Sequence, residues 1–172
     1  KVRCRTGEEK QGISILWDTG RRSMDEREFL PPENKILEIV LAIGFFLAEK
    51  GIAFSGYFRQ KVIMEKHVEN IRDFDDFYHV VSETSFCQEE SFSRLLADAS
   101  ENGIILGSKV VFCVLQELSE EIIRLTEAFE KAGILTVLYV VTDEKTESGS
   151  WQGNERRRIV AVPVEAVLEG RL

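Results

Sequence analysis

The sequence has few of the residues that cross-link small proteins or hold metal ions. Its 172 residues include three cysteines, Cys4, Cys87 and Cys113, and none of them forms a Cys-x-x-Cys pair. An odd number of widely separated cysteines argues against a disulfide framework and favours a reducing compartment. The two histidines, His67 and His79, have no further histidine or cysteine at ligand spacing, so a zinc site is not predicted.

Long apolar runs and targeting signals are missing as well. No run approaches the roughly 18 residues that a membrane-spanning helix needs, and the N-terminal residues do not form a signal peptide. We therefore predict no membrane span within this sequence. Because the first residue is Lys1 rather than Met, we expect the chain to be a fragment of a longer protein, with any anchor lying outside it.

The chain lacks an excess of positive charge. Its formal charge is −8 and its pI is about 5.0. An acidic protein repels phosphate backbones, so nucleic acid is not a predicted partner. The arginine run at 156–158 is the local exception, and we interpret it as a solvated surface feature.

The common catalytic motifs are absent too. The sequence contains no Gly-x-Gly-x-x-Gly, no Gly-x-x-x-x-Gly-Lys-[Ser/Thr] and no Gly-x-Ser-x-Gly. Phosphate cradles for nucleotides and the hydrolase nucleophile elbow are therefore not expected, and we predict a protein that is not an enzyme. The acidic pairs at 89–90 and 120–121 are interpreted as charges that favour the positive ends of helices.

What the sequence does contain is a regular alternation of strand and helix patterns in one domain covering residues 1–172. Apolar runs predict strands at 13–18, 52–58, 62–64, 109–115, 134–141 and 159–162. Helical spacing predicts a long helix at 33–50 opened by Pro31 and Pro32, a helix capped by Asp73, one carrying Phe92 to Ala99, one capped by Ser119, and a last helix at 163–168. Residues 1–12 are expected to be peripheral, with an edge strand near Cys4, 23–32 to form a loop, and 142–158 to form a mobile loop.

This alternation predicts a three-layer α/β/α sandwich with a mostly parallel, six-stranded, Rossmann-like sheet. Only a short polar break separates the second and third strands, so these two should pair antiparallel as a hairpin. The later strands must then add on the other side of the first strand. The inferred strand order is 3-2-1-4-5-6, with strand 3 antiparallel and a switch point beside the tip of strand 1.

The carboxyl end of the first strand is the predicted functional site. Four of the five residues at 13–17 are large and apolar, and the run ends abruptly at Asp18, followed by a small-residue turn and two arginines. In open α/β sheets, ligands bind where such strands end. We therefore expect the functional site of the protein to lie at Asp18.

With these residues in place, the pattern resembles a von Willebrand factor A (vWA) domain. It is most similar to the uncharacterised bacterial vWA-like proteins often encoded beside MoxR-type AAA+ ATPases. The resemblance extends over nearly the whole chain from Ile13. It rests on the first strand ending in Asp-Thr, the Ser23-Met24 pair after it, the long apolar helix, the antiparallel edge strand and the Ser-x-Leu-Leu start at residues 93–96.

Domains of this class hold Mg²⁺ at a metal-ion-dependent adhesion site with the motif Asp-x-Ser-x-Ser, a later Thr and a later Asp. Asp18 matches the leading Asp, Gly20 and Arg22 stand at the two Ser positions, and Ser23 would serve only with one extra loop residue. The candidates for the later ligands are Thr84 or Ser85, and Glu117. This set is short of the oxygen ligands that Mg²⁺ needs, and a guanidinium repels a divalent ion.

We therefore predict a degenerate adhesion motif with no metal and no cofactor. In it, Arg21 or Arg22 pairs with Asp18 or Glu117 in place of the cation. The resemblance implies a non-catalytic interaction module that binds a protein partner, with an AAA+ ATPase as the implied candidate. It also implies a cytoplasmic domain tethered to the membrane by segments outside this sequence. A metal-dependent adhesion domain and, less favoured, an enzyme on a Rossmann-like scaffold remain alternatives.

Overall fold

A computed structural model of the chain describes residues 12–143 and 151–168. The strands are β1 Gly12–Trp17, β2 Phe54–Gln60, β3 Val62–Val68, β4 Ser108–Leu115, β5 Leu135–Thr142 and β6 Arg157–Pro163. The helices are α1 Glu26–Glu49, α2 Phe74–Ser82, α3 Phe92–Glu101 and α4 Glu120–Lys131, with a 3₁₀ turn at Ile71–Asp73. The predicted edge strand near Cys4 lies outside the described residues, as does part of the predicted loop at 142–158.

The six strands form one sheet in the order β3-β2-β1-β4-β5-β6, which confirms the predicted order. β1 pairs in parallel with β2 and β4, β4 with β5, and β5 with β6. β3 alone pairs antiparallel, along its whole length, with β2. The hairpin turn is shorter than expected, because β2 continues through Gln60 and only Lys61, at φ 67°, reverses the chain.

Helices cover both faces of the sheet and create two cores. On one face, Ile15 and Trp17 of β1 pack with α1 and α2 in a cluster that includes Ile39 and Phe77. On the other face, Leu16 packs with α3 and α4. β1 is buried on both faces because its apolar side chains alternate between these two cores. Its tip is therefore held rigidly at the centre of the sheet.

The long first helix begins earlier than predicted. Residues 23–32 were expected to form a loop with Pro31 at the helix start, but α1 begins at Glu26, after an N-cap at Asp25 whose side chain accepts from the N–H of Arg27. The two prolines lie inside the helix. Proline has no N–H, so the carbonyls of residues 27 and 28, four positions earlier, receive no hydrogen bond within the helix. This is tolerated because residues 27 and 28 are exposed to water.

Asp73 occupies the predicted N-cap position of α2, but its side chain makes no capping hydrogen bond. Its Oδ2 instead accepts from the N–H of Glu69 at 2.9 Å. The 3₁₀ turn before α2 is capped by Asn70, whose side chain accepts from the N–H of Arg72.

The predicted last helix at 163–168 is wrong. β6 continues to Pro163, and the following residues form a turn and an irregular segment. The N–H of Val164 donates to the carbonyl of Thr142, and the ammonium of Lys35 donates to the carbonyl of Ala166 at 2.6 Å. Six residues are too few for a stable isolated helix, so tertiary contacts decide their conformation.

None of the helices in the described residues combines the length and the apolar composition that a bilayer span requires. Cys113 lies fully buried in the core, as its apolar context predicted. Burial raises the pKa of this thiol above its ordinary value.

Candidate functional site

Asp18 follows β1 directly, and its side chain has no exposed surface. Its Oδ1 accepts a hydrogen bond from the N–H of Gly20 at 2.9 Å. Its Oδ2 lies 3.7 Å from Nη2 of Arg22, which is too long for a hydrogen bond, and has no hydrogen-bond partner in the described part of the chain. Burial raises the pKa of the Asp18 carboxyl, and the N–H groups of Gly20 and Gln116 and the charge of Arg22 oppose this rise.

Gly20 is enclosed by its neighbours. A Cβ at this position would lie 2.7 Å from the carbonyl oxygen of Glu90 and 3.1 Å from Oδ1 of Asp18. Its own carbonyl accepts from the side-chain amide of Gln116 at 2.9 Å. The sequence placed Gly20 at the first serine position of the motif, and the structure shows that no side chain fits there without displacing backbone.

Arg22 occupies the centre of the site. Its guanidinium forms an ion pair with Glu117 and lies beside Asp18, so that it stands between a buried and an exposed carboxylate. The Arg22 and Glu117 side chains are 41% and 65% exposed. The sequence predicted that Arg21 or Arg22 pairs with Asp18 or Glu117, and the structure shows Arg22 paired with Glu117, because the tips of β1 and β4 are neighbours in the sheet.

The Arg21 side chain contacts α1 rather than Asp18 or Glu117. Its Nε and Nη2 donate to the two carboxylate oxygens of Glu33 at 2.8 and 2.9 Å, and its guanidinium lies 3.7 Å from the ring centroid of Phe29. This bidentate pair raises the pKa of Arg21 further. Arg21 thus fastens the tip of β1 to α1, while Arg22 remains at the surface.

Ser23 and Thr84 are not directed toward Asp18. The hydroxyl of Ser23 donates to Oε2 of Glu28 at 2.6 Å and accepts from the N–H of Asp25, at the start of α1. The hydroxyl of Thr84 donates to the carbonyl of Val80 at 3.2 Å, at the end of α2. The structure therefore brings together Asp18, Gly20, Arg22 and Glu117, and it places the other two hydroxyls in helix-end contacts.

The loop between α2 and α3 is joined to the tip by backbone hydrogen bonds. The N–H of Cys87 donates to the carbonyl of Thr19, and the N–H of Arg21 donates to the carbonyl of Cys87. Gly20 and Cys87 form an isolated parallel bridge. The loop therefore acts as a short extra strand beside the tip, which the sequence pattern did not predict.

Glu90 anchors this loop from its other side. It is 7% exposed, and its Oε2 accepts from Nη1 of Arg59 at 2.5 Å while its Oε1 accepts from the N–H of Lys61 at 2.7 Å. Arg59 also donates to Asp98 at 2.8 Å, and its carbonyl accepts from the hydroxyl of Thr19. From the sequence, Glu90 is interpreted only as a negative charge that favours the start of a helix. No local signal identifies this role, because its side-chain partners lie about thirty positions away.

A cleft of about 1080 Å³ opens beside the Arg22–Glu117 pair. It lies between the start of α1 and the carboxyl ends of β4, β5 and β6, with Pro31, Ile159 and Trp151 among its lining residues. Trp151 is 39% exposed. The cleft therefore combines an apolar wall with charged lining residues, which are Arg22, Glu117, Arg27, Glu28 and Asp143.

The residues at the tip do not fit the divalent ion that the sequence resemblance implies. Gly20 has no room for a ligand side chain, Arg22 places a fixed positive charge beside Asp18, and the Ser23 hydroxyl is directed to Glu28. Across residues 12–143 and 151–168, no three His, Cys, Asp or Glu side chains are grouped in a way that could hold a metal. A hard cation needs several oxygen ligands, which this arrangement does not provide.

No protein-family model and no curated protein matches this sequence. Solved structures of vWA domains share its fold. The SpRpn10 VWA domain superposes with a TM-score of 0.56 over 93% of this chain and 92% of that chain, at 11% sequence identity. A von Willebrand factor type A structure from Catenulispora acidiphila superposes with a TM-score of 0.51 over 78% of this chain and 34% of that chain, also at 11% identity.

These similarities show that the chain has a vWA-like fold. The fold part of the predicted resemblance is confirmed, including the six-stranded mixed sheet with its antiparallel edge strand. At 11% identity the similarity concerns architecture, and function has to be argued from the site.

Proposed function

We propose that this domain is a non-catalytic protein-interaction module that binds a protein partner through the loops at the carboxyl ends of β1 and β4. The observation that carries the proposal is the Arg22–Glu117 ion pair, which is exposed directly above the buried Asp18. An ion pair this exposed contributes little to stability. Its two charges are available to a partner, and an arginine beside a cleft is a common anchor in protein interfaces.

In this proposal the tip is a degenerate adhesion site in which Arg22 supplies the positive charge. The partner contacts Arg22 and Glu117, and the buried Asp18 and Gly20 form the rigid base beneath them. Ser23 and Thr84 fix the loops on either side. Trp151 and the apolar wall of the cleft offer a second contact area for the same partner.

The partner class that we propose to test first is a MoxR-type AAA+ ATPase. This choice rests on the sequence resemblance to vWA-like proteins encoded beside such ATPases. In the same proposal the domain lies on the cytoplasmic side of a membrane, held there by segments outside this sequence.

An enzyme on the same scaffold would use the cleft as its active site. Four of the polar side chains that line the cleft are, however, engaged in two pairs. Arg22 pairs with Glu117, and Ser23 pairs with Glu28. A serine hydroxyl bonded to a carboxylate has the spacing of a nucleophile and its base, but no other side chain in the described residues hydrogen-bonds the Glu28 carboxylate to orient it, and this favours the interaction module.

The experiment is affinity capture with the full-length protein, followed by identification of the recovered proteins. We expect Arg22→Ala and Glu117→Ala each to lower recovery of the partner about tenfold, the effect of losing roughly 1.4 kcal/mol of binding free energy. Arg124→Ala and Glu127→Ala are matched controls, because both residues are exposed on α4. Unchanged recovery of the partner with both tip variants would overturn the proposed site. Recovery of a partner that is not an ATPase would overturn the proposed partner class.

A further inference from the structure

The outer edge of β6 carries backbone groups whose direction can be assigned residue by residue. In the described sheet, β6 is the last strand and pairs only with β5. The N–H of Thr136 donates to the carbonyl of Arg156 at 2.8 Å, and the N–H of Val164 donates to the carbonyl of Thr142 at 3.0 Å. In a parallel ladder, alternate residues direct both backbone groups to the same neighbouring strand. The even-numbered residues from 156 to 164 therefore face β5, and the odd-numbered residues face away from it.

The odd-numbered residues of β6 define a short free edge. The N–H and the carbonyl of Arg157 bond with Asn154, at 3.3 and 2.8 Å, and not with β5. Pro163 at the other end has no N–H to offer. Between them, the backbone groups of Ile159 and Ala161 have no hydrogen-bond partner in the described part of the chain. These two residues therefore present alternating donors and acceptors to an outside chain.

The middle of β6 lacks the side chains that usually protect a sheet edge. Charged residues along an edge strand discourage pairing with another chain. β3, at the opposite edge, has a Glu-Lys-His run in its middle, whereas residues 159–162 of β6 include no charged residue. Val160 is 39% exposed, and Ala161 is exposed as well. The edge of β6 is therefore open to strand addition in a way that the edge of β3 is not.

The arginine run at the start of β6 adds positive charge that the fold neutralises only in part. Arg157 pairs with Glu130 at 3.0 Å. Arg156 and Arg158, on either side of it, are exposed and form no ion pair with another described residue. Glu155 is the only carboxylate in residues 151–158. The amino end of the free edge is therefore basic.

We propose that the free edge of β6 binds an extended segment of the protein partner as an additional antiparallel strand. Addition of a strand is the mode of binding that satisfies unpaired backbone groups at an edge, and antiparallel ladders are the more stable kind. Antiparallel pairing places the C-terminal end of the segment beside Arg156 and Arg158. Its N-terminal end lies beside the exposed Asp143. The segment that fits is therefore apolar, with acidic residues at its C-terminal end.

This inference deepens the proposed function and rests on it for the identity of the partner. Ile159 and Ala161 also line the cleft beside the Arg22–Glu117 pair, so the added strand lies next to the proposed contact residues. A second copy of this chain is a poorer occupant, because β6 contains no carboxylate that could neutralise the arginines of its partner.

Hydrogen exchange in the unmodified chain tests whether the edge is free. We expect the amides of Ile159 and Ala161 to exchange at least about tenfold faster than that of Val160, which faces β5. Similar protection at all three positions would overturn the proposal, because the edge would then be covered by the chain itself or by a second copy.

Binding is tested with a synthetic peptide that alternates valine and threonine, ends in two glutamates and has both termini capped. We expect saturable binding to the whole chain, with slower exchange at Ile159 and Ala161 and no change at Val160. Two analogues are N-methylated at alternate residues, one on each edge of the peptide. One analogue should lose binding and the other should keep it within about threefold, because only one edge of the peptide bonds to β6. Equal binding of the two analogues would overturn strand addition.

Charge is tested with the same peptide. Arg158→Glu should weaken binding about tenfold, whereas Arg72→Glu should change it less than about twofold. Arg72 is exposed on the 3₁₀ turn after β3, at the other edge of the sheet, so this control changes the net charge equally. Circular dichroism confirms that both variants are folded. Absence of saturable binding, or equal effects of the two substitutions, would overturn the proposal without affecting the capture test of Arg22 and Glu117.

Discussion

Gly20 is the residue at the tip with the least room for change. Gly20→Ala would place a methyl group 2.7 Å from a backbone carbonyl that is itself held in the Glu90 anchor. We expect a loss of about 1–3 kcal/mol in the free energy of unfolding, the usual cost of overpacking. Urea denaturation measures it.

Gly107→Ala is the control for this prediction. An added Cβ at Gly107 meets nothing within 4 Å. Such a replacement is expected to be neutral or to stabilise by about 0.4–1 kcal/mol, because alanine restricts the unfolded chain. Equal effects of the two substitutions would contradict the tight enclosure of Gly20.

The buried carboxyl of Asp18 predicts a specific dependence of stability on pH. Burial raises the pKa of this carboxyl in the folded chain, whereas in the unfolded chain it titrates at about pH 4, like any exposed aspartate. Between these two pKa values, the folded chain keeps a proton that the unfolded chain has lost. Stability contributed by this group is therefore full at low pH and falls as pH rises through that window.

Asp18→Asn isolates this effect, because asparagine keeps an oxygen for the N–H of Gly20 and does not titrate. We expect the unfolding free energy of the unmodified chain, relative to the variant, to fall as pH rises above about 4. Chemical denaturation at a series of pH values measures the difference. A relative stability that rises over the same range would mean that Arg22 and the two N–H groups outweigh burial.

At the scale of elements, the loop between α2 and α3 depends on one carboxylate. Glu90→Gln would leave the nearly buried guanidinium of Arg59, 12% exposed, with Asp98 as its remaining charged partner. We expect a loss of about 3 kcal/mol, toward the lower end for breaking a buried ion pair. The N–H of Arg21, bonded to Cys87, should also exchange its hydrogen faster in hydrogen-exchange measurements.

Asp98→Asn provides the comparison for Glu90→Gln. The Asp98 side chain is 37% exposed, so water can replace much of its interaction, and the loss should stay below about 1 kcal/mol. If both substitutions had the same small effect and the Arg21 amide stayed protected, the loop would not be held by Glu90.

The helices and strands also show why the sequence predicted the fold better than it predicted where each element begins and ends. The strand order was predictable because apolar runs mark the strands and the short polar break before Val62 marks a hairpin, although β3 itself is mostly exposed. The start of α1 was missed because two prolines indicate a helix start more strongly than the Asp25 cap indicates one. Residues 163–168 were predicted as a helix from local pattern, but β6 continues to Pro163, and contacts with Thr142 and Lys35 hold the residues that follow it.

The site was predictable where strand topology alone determines proximity. Asp18 and Glu117 follow neighbouring parallel strands, so a long side chain such as Arg22 can reach both. The roles of Glu90 and Thr84 were not predictable, because they depend on how a loop folds against the β2–β3 hairpin and on which carbonyl a hydroxyl finds.

At the scale of the whole molecule, the vWA-like fold presents the tip at the carboxyl ends of β1 and β4 on a rigid sheet. The tip carries a balanced pair of charges, Arg22 and Glu117.

The central claim is that Arg22 supplies within the chain the positive charge that a divalent ion would otherwise bring. Calorimetric titration of Mg²⁺ and Mn²⁺ into the unmodified chain and into Asp18→Asn tests it most directly. We predict no saturable binding to either protein at millimolar ion, because Gly20 and Arg22 leave no coordination shell to fill. Saturable binding to the unmodified chain that is lost in Asp18→Asn would contradict the account.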